Sequence, residues 1–137
     1  MPVADPGDTA TAELSVTQRR IDAFASVTGD DNPLHLDPGY AADSVFDGQV
    51  AHGMLSAGAI SSALADLPGD IVYVDQDLSF ERPVRPGQTV EATVTVAETD
   101  EEDQLRVETT AATEDGPVVT GTATVLSLPH GQASAGD

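Results

Sequence analysis

The second half of the chain alternates between apolar and polar residues in three successive segments, 90–96, 105–111 and 119–125. A repeat of two residues places alternate side chains on opposite faces of an extended strand. A further strand is predicted over residues 71–80, before a turn containing Pro and Gly at 82–87. Because the connections are short and rich in acidic residues, Gly or Pro, the pattern predicts an antiparallel sheet with one face toward water.

Helix signals occupy the first half of the chain. Ser15 and Thr17 are both suitable N-caps for a helix that Gly29 would end. Residues 30–38 are rich in Asp, Asn and Pro, which predicts a structured loop rather than a helix. The last two residues of that segment, Asp and then Pro, are typical of an N-cap and a first helical residue, so a short second helix is expected after them.

Residues 53–65 have helical length, carry no charge and place small residues on every side. This composition predicts a helix that is buried all round. The helices come first in the chain and the strands last. We therefore predict an α+β fold in which the antiparallel sheet curls around this one apolar helix.

The length of 137 residues fits one domain. Residues 1–13 and 129–137 combine Pro, Gly, Ala and acidic residues without apolar periodicity. Such segments indicate a flexible N-terminal lead-in and a flexible C-terminal tail. The folded domain is then expected over residues 14–128. His130 falls in the predicted tail, so no function is expected of it.

Composition excludes several classes of function. The chain has no cysteine, which excludes disulfides and thiolate metal sites. Its 24 acidic residues, 5 arginines and absence of lysine give a net charge of −19, so it lacks the basic face that nucleic-acid binding needs. No apolar run approaches the roughly 18 residues of a membrane span, and the first residues do not resemble a signal peptide. We expect a cytoplasmic protein without nucleic-acid or membrane partners.

Two reactive side chains lie near each other in the predicted loop. Asp30 and His35 are separated by Pro33, which restricts the backbone between them. A carboxylate beside an imidazole suits a reaction that takes a proton from water and returns one to carbon. A polar turn whose side chains bond its own backbone has the same residue types. Residue chemistry alone favours that plainer interpretation.

Gly53 begins the apolar helix. An amide in the first helical turn has no partner within the helix and lies at the positive end of the helix dipole, which suits a developing oxyanion. A glycine kept for close packing is an equally good interpretation. No metal site is expected, because the chain has no helical His pair and no cysteine. Phosphate-binding loops and nucleophile-elbow motifs are absent too.

Residues 24–37, which contain the pattern Asp-x-Asn-Pro-x-His, and residues 52–55 resemble the MaoC-like family of (R)-specific enoyl-CoA hydratases. Residues 78–87 are similar to a strand and turn of that family, and the resemblance covers roughly residues 14–128. It implies a hot-dog fold, in which an antiparallel sheet wraps around a long central helix. It also implies a homodimer or a higher homo-oligomer.

The resemblance implies roles for individual residues. Asp30 and His35 match the catalytic pair of the family. Asn32 matches a residue that supports this pair, and Gly53 matches the amide that receives the thioester oxygen.

Ser61, Asp31 and two arginines complete the set of residues considered. Ser61 matches a serine near the catalytic loop in some members, whereas Asp31 occupies a variable position and is not expected to be catalytic. Arg82 and Arg85 are candidates for contacts with the phosphates of coenzyme A. The alternative is that these two arginines only balance nearby carboxylates.

The expected activity is the (R)-specific hydration of trans-2-enoyl-CoA to (R)-3-hydroxyacyl-CoA, or the reverse dehydration. No cofactor is expected beyond the coenzyme A of the acyl-CoA thioester substrate. Alternatives are a hot-dog acyl-CoA thioesterase, a non-catalytic acyl-thioester-binding subunit and a dehydratase acting on an acyl-carrier protein. Helix 53–65 lacks the carboxylate that many thioesterases of this fold place there. Polyhydroxyalkanoate precursor supply and fatty acid metabolism are both compatible with the hydratase.

The charge predicts a dependence on salt. Self-repulsion at a net charge of −19 destabilises the folded state in dilute buffer, and the Debye length shortens to about 3 Å at 1 M salt. The hypothesis is a salt-rich cytoplasm, as in a halophile. The free energy of unfolding, measured with denaturant, should rise between dilute buffer and molar KCl. A constant free energy over that range would refute the hypothesis and indicate an ordinary acidic surface.

Overall fold

The computed structural model describes residues 2–100 and 102–131. Within them, six strands form one antiparallel sheet, accompanied by four helices. The strands are β1 (Thr9–Ser15), β2 (Asp70–Gln76), β3 (Ser79–Phe80), β4 (Thr89–Thr99), β5 (Gln104–Thr113) and β6 (Gly116–Leu128). The helices are α1 (Gln18–Thr28), α2 (Pro33–Leu36), α3 (Pro38–Ala42) and α4 (Gly53–Ala65). The order across the sheet is β1-β4-β5-β6-β2, and β3 also pairs with β6. No helix of the described residues is long and apolar enough to cross a membrane.

The predicted alternation is confirmed in β4, β5 and β6. Alternate side chains are buried and form one core with α4, whereas most of those between them reach solvent. The fully buried inward residues include Val90, Val94, Leu105, Val107 and Val125. Burial of a side chain of this size contributes about 1.5–3 kcal/mol, so packing on this face of the sheet stabilises the position of α4.

The helix signals are confirmed at their capping residues. Thr17 begins α1, and its Oγ1 accepts a hydrogen bond from the Arg20 N–H at 3.1 Å. Gly29 ends α1 in the left-handed conformation at φ 80°, which glycine adopts without a steric cost. Asp37 begins α3 by accepting from the Tyr40 N–H at 3.1 Å. The turn at Gly29 leads the chain directly out of α1 and into the candidate loop.

The prediction of a flexible lead-in over residues 1–13 is wrong for the part that the structure describes. Strand β1 pairs along its whole length with β4. Ahead of it, the N–H groups of Val3 and Ala4 both donate to Ser127 Oγ, and Ala4 is buried. The alternating Thr and Ala residues of β1 carry little hydrophobicity, so pairing with a strand far away in the sequence stabilises it rather than its own pattern.

The strand predicted over residues 71–80 is divided into β2 and β3. The chain leaves the sheet at Asp77, whose carbonyl oxygen lies against Gly121 of β6. A Cβ atom on Gly121 would be 2.0 Å from that oxygen, so only glycine fits there. The Asp77 N–H donates to Thr122 O at 3.0 Å, and the Thr122 N–H donates to Asp77 Oδ1 at 3.1 Å. Beyond this break, β3 carries Phe80 to the start of α4.

The burial of α4 differs from the prediction of a helix covered all round. One side packs against the sheet through Ser56, Ala59, Ile60, Ala63 and Leu64. The other side, which includes Met54, Gly58 and Ser61, is exposed. Beside it, β2 exposes Val72, Tyr73 and Val74. A curled sheet covers only one side of a helix, so a single chain leaves an apolar face in contact with solvent.

Candidate active site

His35 lies on a turn of helix inside the segment that was predicted to be a structured loop rather than a helix. This helix, α2, has Asn32 as its N-cap and Pro33 as its first residue. The Asn32 Oδ1 accepts from the Leu34 N–H at 3.0 Å, and the Asn32 carbonyl oxygen accepts from the His35 N–H at 3.0 Å. Asn32 thus supports His35 by capping the turn that carries it.

The hydrogen bonds of His35 determine its tautomer. Its Nδ1 lies 2.7 Å from the carbonyl oxygen of Val50, and because a carbonyl oxygen only accepts, Nδ1 carries the proton. In the neutral ring, Nε2 is then the nitrogen with a free lone pair. The backbone is held as well, since the His35 carbonyl oxygen accepts from the side-chain amides of Gln18 and Gln49 at 3.1 and 2.9 Å.

Asp30 follows the cap of α1 and faces His35. Its N–H donates to Thr28 Oγ1 at 3.1 Å, and its side chain is exposed. One carboxylate oxygen of Asp30 and one ring nitrogen from each of His35 and His52 all lie within 4.8 Å of one another. The structure therefore brings the predicted pair together. It includes Asp30 in this cluster and not its neighbour Asp31, as expected.

His52 is the member of the cluster for which the sequence analysis predicted no role. It is 3% exposed, and its Nε2 lies 2.9 Å from the carbonyl oxygen of Asp30. Its ring stacks on that of His35 at a centroid distance of 3.8 Å and an interplanar angle of 30°, and it also contacts the ring of Phe24 at 4.7 Å. The sequence signal that could have indicated a role for His52 was its position directly before Gly53, within the segment 52–55 that resembles the family.

The surroundings of Gly53 fit both interpretations that the sequence left open, an amide available to a ligand and a glycine kept for close packing. His52, its N-cap, makes no side-chain capping hydrogen bond, and within the described part of the chain the Gly53 N–H has no acceptor. The amide is therefore open to a ligand. A Cβ atom on Gly53 would also lie 2.7 Å from Cε1 of Phe80, so a side chain here would push the Phe80 ring away.

Two adjoining cavities lie beside the start of α4. A cavity of about 590 Å³ is lined by His35, His52, Gly53, Phe80 and Arg82, among others. A second, of about 450 Å³, is lined by Ser61, Tyr73 and Leu78, and Met54 lines both. The single chain does not bring Ser61 to Asp30 and His35, which lie away from this second cavity.

The two arginines of the turn differ in their contacts. Arg85 is half-buried and its guanidinium donates to the carbonyl oxygens of Phe46 and Gln49, so it holds the loop before α4. Arg82 is exposed, donates to Pro117 O at 2.9 Å and lines the larger cavity. Neither has a carboxylate within ion-pair distance among the described residues. The described residues therefore provide no ion pair in support of the alternative that the two arginines balance nearby carboxylates.

Asp30, His35 and His52 include donor types that bind metals, a grouping that the sequence spacing did not indicate. An imidazole lone pair lies in the plane of its ring, and a zinc ion sits about 2.0–2.1 Å from the nitrogen. His35 Nδ1 lies 2.7 Å from the carbonyl oxygen of Val50, and His52 Nε2 lies 2.9 Å from that of Asp30. One nitrogen of each ring is therefore already engaged by a backbone hydrogen bond, which leaves only the other nitrogen of each ring for an ion.

Two titratable groups outside this cluster have shifted pKa values. Partial burial raises the pKa of Tyr73 in the second cavity. At the start of the predicted tail, a hydrogen bond of 2.8 Å to Asp70 raises the pKa of the exposed His130. Residues 132–137 of that predicted tail lie outside the described residues.

Comparison with known proteins places the chain among hydratases. The sequence profile of the MaoC like domain matches residues 4–118, beginning ahead of β1. The chain is 43% identical over 128 residues to an (R)-specific enoyl-CoA hydratase of Rhodospirillum rubrum, covering 91% of this chain and 89% of that one. It is 39% identical over 122 residues to a 3-hydroxybutyryl-CoA dehydratase of Methylorubrum extorquens, covering 87% of this chain and 78% of that one.

Similarity to a solved structure supports the same family. The (R)-hydratase from Aeromonas caviae involved in PHA biosynthesis superposes with a TM-score of 0.85 at 36% identity, covering 91% of this chain and 97% of that one. The chain therefore belongs to the MaoC-like domain family and has the hot-dog fold of the hydratases to which it is similar.

Proposed function

We propose that this protein is a hydro-lyase that adds water to trans-2-enoyl-CoA to give (R)-3-hydroxyacyl-CoA, and that catalyses the reverse dehydration. The observation that carries the proposal is that Asp30 lies beside His35 and that His35 shares a cavity with Gly53. The carboxylate of Asp30 lies within 4.8 Å of a ring nitrogen of His35, and His35 and the unpaired Gly53 amide line the same cavity. The names of the relatives support the same reaction class.

In the proposed mechanism, the thioester oxygen accepts a hydrogen bond from the Gly53 N–H. This bond and the dipole of α4 stabilise the negative charge that develops on the oxygen as the enolate forms. Asp30 and Nε2 of His35 hold one water between them. One of the pair removes a proton from this water as its oxygen bonds to C3, and a proton returns to C2. Because both groups belong to one loop, both additions occur on the same side of the substrate.

Features of the site distinguish this proposal from its rivals. Helix α4 contains no carboxylate, whereas many thioesterases of this fold place one on that helix. An acyl-carrier protein is usually acidic and would be repelled by a surface of charge −19 in dilute buffer. The relative from Aeromonas caviae is described as acting in PHA biosynthesis. Supply of polyester precursors is accordingly the pathway we propose to test first.

The catalytic pair is tested by substitution. Asp30→Asn and His35→Ala should each lower the turnover number for crotonyl-CoA by at least about 10², the lower end for loss of general acid–base catalysis. The matched controls are Asp31→Asn and His130→Ala, which should keep wild-type turnover. Hydration is followed by the loss of enoyl-thioester absorbance, and the product is analysed for the (R) enantiomer.

The same assay separates hydratase from thioesterase. The protein has no cysteine, so a thiol reagent reports only coenzyme A released by hydrolysis. Thiol release that depends on Asp30 would support the thioesterase instead. Wild-type hydration by both the Asp30 and His35 variants would remove these residues from the mechanism.

Arg82 is the arginine that we propose contacts the phosphates of coenzyme A. Arg82→Gln should raise the Michaelis constant for crotonyl-CoA about two- to fivefold in low salt, the range expected for one exposed charge contact, without changing the turnover number. Arg85→Gln should instead lower the melting temperature, because the loop carbonyl oxygens of Phe46 and Gln49 lose their donor. If the Michaelis constant of Arg82→Gln equals that of the wild type, Arg82 does not bind the substrate.

We propose that the protein is a homodimer and that the exposed apolar face is its interface. Strand β2 is at the edge of the sheet and exposes Val72, Tyr73 and Val74 beside the uncovered side of α4. An edge strand with apolar side chains associates readily with another chain. A second copy of this chain would cover the helix that a single sheet leaves half exposed.

Light scattering in molar KCl, where repulsion between the acidic copies is screened, should give twice the chain mass of 14.1 kDa. Val74→Asp should shift the protein toward the monomer. Val45→Asp is the matched control, since Val45 is 95% exposed and lies outside the cavity that Val74 lines. A wild-type mass of 14.1 kDa would contradict the proposal.

A further inference from the structure

We propose that His52 is a positioning residue of this site, which holds Asp30 through its main chain and His35 through its ring face. This inference rests on the proposed hydratase function. It assigns no proton transfer to His52 itself. Instead, one buried ring would fix the distance between the two groups that handle protons and the position of both relative to Gly53.

The burial of His52 indicates more than packing. The ring is 3% exposed, and its Nδ1 is buried without a hydrogen-bond partner among the described residues. Burying an unsatisfied polar atom is unfavourable, and an apolar ring of similar size would fill the same space without that cost. The compensating interaction is the hydrogen bond that the other ring nitrogen makes.

That hydrogen bond holds the Asp30 backbone. His52 Nε2 lies 2.9 Å from the Asp30 carbonyl oxygen, and because a carbonyl oxygen only accepts, Nε2 is the donor. Asp30 is exposed and lies just after the left-handed cap at Gly29, where the chain changes direction. A donor from a residue 22 positions away fixes this turn against α4.

The ring contact orients His35. The His35 side chain is held by one hydrogen bond, from Nδ1 to Val50 O, which leaves the ring free to tilt about that bond. The face of His52, at a centroid distance of 3.8 Å, removes this freedom. His52 also directly precedes Gly53. This single residue therefore fixes the positions of the Asp30 carboxylate, the His35 imidazole and the Gly53 amide relative to one another.

Two variants separate these contributions. His52→Phe keeps the ring face but loses the donor, whereas His52→Gln keeps an amide donor at a similar reach but loses the ring face. Each should lower the turnover number for crotonyl-CoA several-fold, and His52→Ala should lower it about tenfold to a hundredfold. The Michaelis constant should change less than twofold, since Gly53 and Arg82 remain.

A stability control tests the simpler explanation that the His52 variants lose turnover only because they are less stable. Ile21→Val shortens a buried side chain of α1 that the cluster does not include, so it should lower the melting temperature and leave the turnover number unchanged. All variants are compared at a temperature where each is folded by circular dichroism. If the His52 variants keep wild-type turnover under these conditions, the inference is overturned.

Nitrogen-15 NMR of the imidazole rings gives a readout that does not require activity. In the wild type, His35 should show a single tautomer with the proton on Nδ1. In His52→Ala, its resonances should move toward the average of the two tautomers, because the ring is no longer held. A His35 spectrum identical to that of the wild type overturns the inference, even if the protein hydrates no enoyl-CoA. Failure of hydration by the wild type would, by contrast, overturn the proposed function.

Discussion

Close packing between α4 and the inner face of the sheet determines where each group of the site lies. Ala59 and Ala63 let the helix approach the strands, and Ile60 and Leu64 fill the space between them. Once α4 is fixed, its open first amide is fixed as well, and so is His52 before it. The loop that carries Asp30 and His35 then rests on His52. The reactive groups therefore depend on a rigid core rather than on the stability of their own loop.

The distribution of positive charge constrains how such an acidic protein can hold a polyanionic substrate. Arg20 and Arg85 donate to backbone carbonyl oxygens, and Arg106 pairs with Glu98. Only Arg82 combines exposure with a position on the larger cavity. Besides Arg82, the contacts that this cavity offers are the open backbone amide of Gly53 and apolar side chains. The salt hypothesis rests on net charge alone, and its physical basis is the screening of this repulsion.

The sequence predicted local structure well where a residue's own chemistry decides it. The start of α1 was predicted at Ser15 or Thr17, of which Thr17 is the cap, and its end was predicted at Gly29. Both predictions succeed because capping depends on a side-chain oxygen and on a left-handed φ angle. The three alternating strands were identified because burial on one face imposes a period of two. β1 was missed because Thr and Ala form only a weak pattern, and its stability comes from β4, about 80 residues away. The break at Asp77 was missed because it depends on the space above Gly121 in another strand.

The same distinction between local and long-range determinants applies to the candidate site. The sequence by itself determined which groups are available: Asp30 and His35 on a stiffened segment, an uncharged helix beginning at Gly53, and no cysteine. Only the tertiary structure decided that His35 presents Nε2, that Arg85 holds a loop, that Ser61 faces a second cavity and that His52 joins the cluster. The physical reason is that tautomers, hydrogen-bond partners and ring contacts depend on atoms brought together from distant parts of the chain, whereas capping, periodicity and charge are properties of neighbours in sequence.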